Sequence, residues 1–507
     1  MLHSWMAQRA AGVLLHPTSL PGPHGAGDLG PNAYYFVDWL HGAGQTLWQT
    51  LPLGPVGPGF SPYMGSSAFA GNPLLVAFEP LVQRGWLRAE SLQSAWGDER
   101  IDYPVLVPWR MQKLREAFAG FGQHATPEDQ AQLATWAQSQ QHWLDDYTLF
   151  MALDHAHSPA LWPQWPPGLA QRTPDAMAQA RLQHALEMAF WCFVQWQFDV
   201  QWQALKAYAH AKGVRLVGDL PIFVAHHSAD CWSRPDLYQL DAVGQPTVVA
   251  GVPPDFFSAT GQRWGNPLYN WAAMAQDGYA WWIERVRRQL QLADVVRIDH
   301  FRGFVDYWEI PATEPTAIHG RWQLGPGAAL FDALAQALGD LPIIAEDLGL
   351  ITPAVHALRE STGFPGMRVL QFAFSGDAHN AFLPHNFEPN TVVYTGTHDN
   401  DTVPGWWASC SGHERSFAAH YLGVAPEPGA AVHWAMLRAA SFSVARLAVC
   451  QFQDVLGLDG QHRMNTPGTM GCWSWRFKWD WVGPEVAHQL AQITAASGRV
   501  GFERLQS

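Results

Sequence analysis

Short apolar runs that end on a polar residue recur along the whole chain and alternate with stretches of helical periodicity. The runs are residues 12–16, 46–51, 214–219, 293–299, 342–346, 367–372, 391–397 and 447–451. Buried strands that alternate with helices are typical of a parallel sheet with crossover connections. Eight such strands predict an α/β fold of the (β/α)8 TIM barrel class, which typically needs about 250 residues.

Two connections between these strands are far longer than one helix requires. Residues 55–212 separate the second and third strands and contain helical patterns at 127–151 and 176–208. Residues 222–292 separate the third and fourth strands and include a stretch at 251–267 that is rich in Gly, Pro and aromatic residues. We interpret residues 1–507 as one catalytic barrel with two large, mainly helical insertions that form the walls of a cleft. The residues after the last strand look helical, so we expect no C-terminal β-sandwich.

Composition narrows the class of partner. The chain has 30 Lys and Arg against 44 Asp and Glu, a net charge of −14, which argues against nucleic acid or an anionic membrane surface. No apolar run approaches the roughly 18 residues of a membrane span. The five cysteines are an odd, widely spaced set without a CxxC pair, which suits a reducing compartment. We therefore expect a cytoplasmic protein, with no metal site and no cofactor.

Tryptophan is the unusual component, with 27 residues in 507. The stripe of Trp191, Val194, Phe198 and Trp202 has helical spacing and is more typical of a core than of a ligand site. Trp264 differs because its neighbours are typical of a loop. Core packing accounts for part of the tryptophan content, and a surface that stacks flat ligands would account for the rest.

Three of the predicted strands end on carboxylates or just before them. The fourth runs into Asp299, the fifth into Glu346, and the seventh into Asp399. Active sites of TIM barrels lie at the C-terminal ends of the strands. Alternation along a strand turns Arg297 to the same side as Asp299, and a guanidinium there favours the ionised carboxylate. Carboxylates at helix caps or in surface ion pairs would be the simpler reading of any one of these, but not of three strand ends together.

Two carboxyls about 5 Å apart across a glycosidic bond form the retaining arrangement of glycosidases. One of them attacks the sugar and the other protonates the leaving oxygen. Asp299 suits the nucleophile and Glu346 the proton donor, and Asp399 could help to stabilise positive charge at the anomeric carbon. The sequence therefore predicts chemistry on a glycosidic bond.

Several longer motifs surround these strand ends and together are very specific. They are 61–63 (SPY), 67–74 (SAFAGNPL), 218–224 (GDLPIFV), 251–258 (GVPPDFFS), 261–267 (GQRWGNP) and 463–469 (RMNTPGT). With the catalytic strands, they make the sequence resemble the 4-α-glucanotransferases called amylomaltases or disproportionating enzymes, relatives of the α-amylase clan. The resemblance covers nearly the whole chain.

The resemblance implies a role for each matching residue. Asp299 would be the nucleophile, Glu346 the general acid/base and Asp399 the stabiliser of the transition state. The substrate-binding residues that it implies are Ser61, Tyr63, Asp219, Phe256, Phe257, Gln262, Trp264, Arg297, His300, His398 and Asn465. The resemblance also implies that the loop at 251–267 would cover the glucan as a lid. The family often has Asn where this chain has Cys472, so a polar contact could be lost there. The implied ligands are maltooligosaccharides and α-1,4-glucans, with glucose as an acceptor.

Three other functions remain open from the residues alone. An amylase-like retaining hydrolase of the same clan would use the same carboxylates, because their geometry does not decide whether water or a sugar hydroxyl attacks the intermediate. A metal-dependent barrel hydrolase would usually need a His-x-His pair after the first strand, where this chain has only His16 before Pro17. A non-catalytic glucan-binding protein would need the tryptophans but not three strand-end carboxylates.

Overall fold

Twelve strands lie in the part of the chain that the computed structural model describes, which is residue 6 with residues 8–97, 99–255, 258–427 and 431–500. In chain order they are β1 (Ala10–Leu14), β2 (Leu47–Gln49), β3 (Arg215–Leu220), β4 (Val248–Val252), β5 (Gln262–Pro267), β6 (Val295–Ile298), β7 (Asp306–Pro311), β8 (Arg321–Leu324), β9 (Ile343–Ala345), β10 (Gly366–Val369), β11 (Thr391–Tyr394) and β12 (Leu447–Gln451).

Eight of these strands form one parallel sheet that curls into a barrel. Its order is β1, β2, β3, β6, β9, β10, β11 and β12, and β12 pairs with β1. Between β9 and β10, the amide of Ala345 donates to the carbonyl of Pro365 at 3.0 Å. All eight are the strands that the apolar runs predict, so the (β/α)8 fold class is confirmed.

The barrel strands are apolar on both faces because side chains fill the barrel on one side and helices cover the other. On β6, Val295, Val296 and Ile298 have no exposed surface. Arg297 is the exception in this strand. Since it points into the barrel, it needs a buried partner of opposite charge.

The helices are α1 (Pro31–Gly42), α2 (Glu79–Gln83), α3 (Tyr103–His124), α4 (Pro127–Ser139), α5 (Gln141–His157), α6 (Pro167–Ala170), α7 (Pro174–Gln183), α8 (Ala185–Ala211), α9 (Ala229–Ser233), α10 (Trp271–Gln276), α11 (Ala280–Leu292), α12 (Ala328–Leu338), α13 (Pro353–Thr362), α14 (Val403–Ser409), α15 (Gly412–Leu422), α16 (Val432–Phe442), α17 (Phe452–Val455) and α18 (Pro484–Ala496). Helices α2 to α8 lie in the connection between β2 and β3, in agreement with its helical periodicity. Of the described helices, none is both long and apolar enough to cross a bilayer.

Helix α8 supports the loop that carries Ser61 and Tyr63. Its predicted stripe of Trp191, Val194, Phe198 and Trp202 is buried. The Gln195 side chain donates to the carbonyl of Gly71 at 2.9 Å and accepts from its amide at 2.7 Å. A Cβ on Gly71 would lie 2.1 Å from the ring of Phe198, so only glycine allows the loop to approach the helix this closely. The loop is thereby fixed against a rigid element.

Strands β4, β5, β7 and β8 form a separate antiparallel sheet in the order β5, β4, β7, β8. This sheet was not among the predicted strands, and Trp264 was expected to lie in a loop. That placement is wrong, since Trp264 lies within β5. A register shift between Val249 and Gly251 interrupts the β4–β5 pairing. Strand β4 therefore lacks the regular alternation of inward and outward side chains by which strands are recognised in sequence.

Candidate active site

The carboxyl ends of three neighbouring barrel strands bring four charged side chains together. In the register of β3 and β6, Asp219 lies beside Arg297, and in that of β6 and β9, Ile298 lies beside Ala345. Asp299 and Glu346 are the next residues on β6 and β9. The Glu346 amide donates to the carbonyl of Ile298 at 3.0 Å, so the two carboxylates start from adjacent backbone positions.

Arg297 is the charged centre of the barrel floor. Its Nη1 donates to both carboxylate oxygens of Asp219, at 2.7 and 2.9 Å, and its Nη2 lies 2.8 Å from Oδ1 of Asp299. Arg297 and Asp219 are both buried, whereas the Asp299 side chain is 30% exposed. The guanidinium therefore holds the Asp299 carboxylate in place and leaves part of it open to the cleft.

Tyr63 extends this network from the loop before α2. Its hydroxyl donates to Oδ2 of Asp219 at 2.7 Å, and its ring stacks on that of His398 with centroids 5.1 Å apart. Ser61 accepts the backbone N–H of Tyr63 at 3.2 Å and so caps the short helical turn that begins at Pro62. In this structure Ser61 orients Tyr63.

Glu346 lies in a half-buried, hydrogen-bonded position beside Asp299. The backbone amide of His300 donates to its Oε2 at 2.6 Å, and that of Leu348 donates to its Oε1 at 3.0 Å. Burial, with the negative charge of Asp299 as the next cause, raises the pKa of Glu346 to about 8. The two amides and Arg297 oppose this shift but do not cancel it. Glu346 therefore holds a proton at neutral pH.

Asp399 approaches from the end of β11 and is held by a distant segment. The Asn465 amide nitrogen donates to its Oδ1 at 2.6 Å, and Nη2 of Arg463 donates to its backbone carbonyl at 2.9 Å. His398 Nε2 lies 3.5 Å from the same Oδ1. Because its side chain remains 47% exposed, Asp399 faces the cleft with its orientation fixed.

Trp264 and His300 form the wall on the other side of Asp299. Their rings meet at right angles with centroids 5.0 Å apart, and the indole N–H of Trp264 donates to Oε1 of Gln262 at 3.1 Å. His300 has a left-handed backbone with φ +53°, which turns its amide toward Glu346. Burial lowers the pKa of the His300 imidazole to about 4, so the ring is neutral. The predicted residues Phe256 and Phe257 lie outside the described residues.

Two further side chains, Trp473 and His16, lie beside the site, and the sequence predicted no specific role for either. Trp473, one of the tryptophans available for a ligand-stacking surface, is buried and packs against Tyr63 and His398, at centroid distances of 5.6 and 5.8 Å. His16 and His398 line the same small pocket. Burial is the larger cause, and the electrostatic effect of His398 the smaller one, of a lowering of the pKa of His16 to about 3. The His16 ring is therefore neutral. No sequence signal marks this contact, because the residues are far apart along the chain.

Comparison with known proteins identifies the family. A family model described as 4-alpha-glucanotransferase matches residues 15–481. The 4-alpha-glucanotransferase of Thermus thermophilus is 50% identical over 97% of this chain and 99% of its own length. The chloroplastic/amyloplastic 4-alpha-glucanotransferase of Solanum tuberosum is 44% identical over 97% of this chain and 87% of its own. This chain belongs to the 4-alpha-glucanotransferase family. As a member of it, the protein is a glycosyltransferase that acts on α-glucans.

A solved structure agrees with the assignment. The amylomaltase from Streptococcus agalactiae in complex with acarbose superposes on this glucanotransferase with a TM-score of 0.93 at 36% identity, covering 97% of this chain and all of that one. Among the described residues of the glucanotransferase, no group of three or more His, Cys, Asp or Glu side chains could hold a metal ion. The side chains described above at the site are carboxylates, the Arg297 guanidinium and hydrogen-bonding groups.

Proposed function

We propose that this enzyme transfers a segment of an α-1,4-glucan to glucose or to another α-1,4-glucan, by a retaining double displacement. The observation that carries the proposal is that Asp299 and Glu346 lie at adjacent strand ends, with Asp299 held by Arg297 and the pKa of Glu346 raised. Neighbouring strands lie about 4.8 Å apart, which favours the roughly 5 Å carboxyl separation of retaining enzymes over the wider inverting one. The acarbose bound by the S. agalactiae amylomaltase supports an oligosaccharide ligand.

In the first step the donor glucan is cleaved. A carboxylate oxygen of Asp299 attacks the anomeric carbon, and the bond from that carbon to the glycosidic oxygen breaks. The proton of Glu346 goes to this oxygen, so the leaving glucan departs with a free 4-hydroxyl. Asp399, held by Asn465, stabilises the positive charge that develops at the anomeric centre. The products are a glycosyl ester on Asp299 and an ionised Glu346.

In the second step the ester reacts with an acceptor. Esterification removes the negative charge of Asp299, which is one of the causes that keep the pKa of Glu346 high. The Arg297 charge and the two amides at Glu346 remain, and both favour the carboxylate. Glu346 then accepts the proton of the acceptor 4-hydroxyl while that oxygen attacks the anomeric carbon. This forms a new α-1,4 bond and frees the Asp299 carboxylate.

The test is the product distribution from pure maltotriose. Transfer gives glucose together with maltooligosaccharides longer than the substrate, at a constant total number of glycosidic bonds. Hydrolysis gives only shorter sugars, with one new reducing end for each bond that breaks, and this outcome would refute the transfer proposal. Asp299→Ala and Glu346→Gln, with the fold checked by circular dichroism, provide inactive controls.

We propose the cytoplasm as the location, on the basis of the cysteines. All five cysteines of the chain lie in described residues as free thiols, which a reducing compartment maintains. Fractionation of the source cells, with activity assayed in each fraction, tests the location. Activity confined to a membrane or secreted fraction would contradict it.

A further inference from the structure

An exposed apolar patch lies beside the loop that carries Glu346. It consists of Trp322 and Leu324 on the edge strand β8, and Leu350 in the segment after β9. Trp322 is 38% exposed, Leu324 84% and Leu350 70%. Trp322 and Leu324 are two positions apart on a strand, so their side chains point to the same face. The three residues are named the outer patch below.

Two short connections join the outer patch to Glu346. Arg302 lies 3.8 Å over the indole ring of Trp322, and its Nη1 donates to the backbone carbonyl of Leu350. Arg302 is two residues from His300, whose amide donates to Glu346, and Leu350 is two residues from Leu348, whose amide does the same. Two residues span at most about 7 Å, so the patch lies within reach of the next few sugars of a bound chain.

The outer patch lies on the side of Glu346 where the acceptor is expected to bind. A general acid in a glycosidic site faces the leaving oxygen, so the segment on its outer side borders the leaving group and, later, the acceptor. Tyr63, Asp219 and His398 occupy the opposite side of the floor, with Asp299 between. A glucan that extends outward past Glu346 therefore continues toward Leu350 and Trp322.

Trp322 has the properties of a rigid stacking platform. Arg302 covers one ring face, and Trp308 contacts the ring edge-on at 5.1 Å. Arg302 is itself fixed by Asp306 at 2.7 Å. Since the indole is already ordered, a ligand that stacks on it loses little side-chain entropy. A glucose ring offers a flat C–H face that suits an aromatic surface, and it carries no charge.

We propose that the outer patch is a remote acceptor subsite, in which Trp322 stacks a glucosyl unit of a long α-1,4-glucan beyond the first acceptor sugar. This inference rests on the proposed transfer function. The subsite makes the enzyme discriminate between acceptors by length, because glucose alone does not reach Trp322, whereas maltotetraose does.

The test compares acceptors of two lengths with maltotriose as the fixed donor. Reducing-end-labelled glucose and maltotetraose are offered separately, and initial rates of labelled elongation give kcat/KM for each. For Trp322→Ala we expect the ratio of kcat/KM for maltotetraose to that for glucose to fall about fivefold, as loss of one aromatic contact implies. The loss should lie in KM for maltotetraose. Trp322→Phe keeps a ring and should restore most of the ratio.

The matched control is Tyr35→Ala, which removes another exposed ring that packs edge-on against a tryptophan, Trp479, at 4.5 Å. It should keep the parental ratio. If Trp322→Ala does not fold, Leu350→Ser carries the test with the same expectation. A parental ratio in the folded patch variants would refute the subsite. Failure of the parent enzyme to elongate either acceptor would instead refute the transfer function.

Discussion

Replacing Glu346 by Gln should abolish turnover and at the same time make the fold more stable at neutral and alkaline pH. The carboxyl is buried, its pKa is raised to about 8, and Asp299 is a negatively charged neighbour. Above this pKa the folded protein must hold a desolvated negative charge on Glu346 next to that of Asp299. A glutamine side chain has nearly the same shape and never ionises, so it avoids that cost.

The size of the effect follows from the proton linkage. In the unfolded chain the carboxyl titrates near 4.5, and in the folded protein near 8. Between these values the folded state holds a proton that the unfolded state has released, so the parent's stability falls with rising pH by about 1.4 kcal/mol per pH unit. Over the interval this amounts to about 5 kcal/mol, an upper bound. Below pH 4.5 both states are protonated and the contribution is fully retained.

The assay is the thermal midpoint of parent and variant across pH 4 to 9, without ligand. The difference, variant minus parent, should rise from about pH 4.5 and level off above about pH 8. Loss of one accepted backbone N–H on substitution adds an offset of about 1–3 kcal/mol that does not depend on pH, so the slope is the deciding quantity. A difference that is flat across this range would refute the raised pKa and the acid role derived from it.

Glu187→Gln is the control with the opposite sign. Burial raises the pKa of Glu187, but two hydrogen bonds from Arg115, each of 2.7 Å, prevail and lower it. Its contribution to stability is therefore present above its unfolded pKa and is lost as the pH falls. This variant should be less stable than the parent at neutral pH, and the difference should shrink on acidification. The Glu187→Gln variant should also retain transferase activity.

Other perturbations of the site have equally definite outcomes. Asn465→Ala removes the 2.6 Å hydrogen bond to Asp399 and should lower kcat by about 10–100-fold with little change in KM, measured on maltotriose; a parental kcat would exclude a positioning role. Tyr63→Phe removes the 2.7 Å bond to Asp219 but keeps the ring stack on His398, and should lower kcat/KM by about tenfold or more; an unchanged value would show that the bond does not matter for catalysis. Cys472→Ala removes the sulfur that accepts the N–H of Thr466 at 3.3 Å and should lower kcat on maltotriose. Cys472→Ser should restore part of that kcat. If both variants have the kcat of the parent, the contact does not contribute to catalysis.

The barrel could be predicted because its signal is local. Each barrel strand is a short run of residues buried on both faces, and each lies between helical stretches. The end of a strand also fixes where its polar residue lies, which brings Asp299 and Glu346 together without further information. The small antiparallel sheet could not be predicted in the same way. Strand β8 is exposed along most of its length, and β5 contains Gly265 and ends on Pro267, so neither presents an apolar run.

The supporting contacts of the site could not be predicted from the sequence either. Asn465 and Asp399 are 66 positions apart, and Tyr63 and Asp219 are 156 apart. Nothing in either segment indicates its partner. The resemblance to a family implies that Asn465 binds substrate, and this stays a prediction. The structure adds that its amide donates to Asp399, a contact through which Asn465 would act on kcat by orienting that carboxylate.

The antiparallel sheet contacts the segment next to Asp299 and Glu346 at two places. Its β5 edge brings Trp264 against His300, and its β8 edge brings Trp322 over Arg302, so both edges contact the short segment that follows Asp299. The amide of that segment's first residue, His300, donates to Glu346. Under the proposed function, an acceptor long enough to reach both tryptophans would contact the residues that pack beside Glu346. The carboxylates alone do not distinguish water from a sugar hydroxyl, so preference for transfer must arise from groups that hold the acceptor. In the proposed acceptor subsite, the two edges of this sheet would supply such groups.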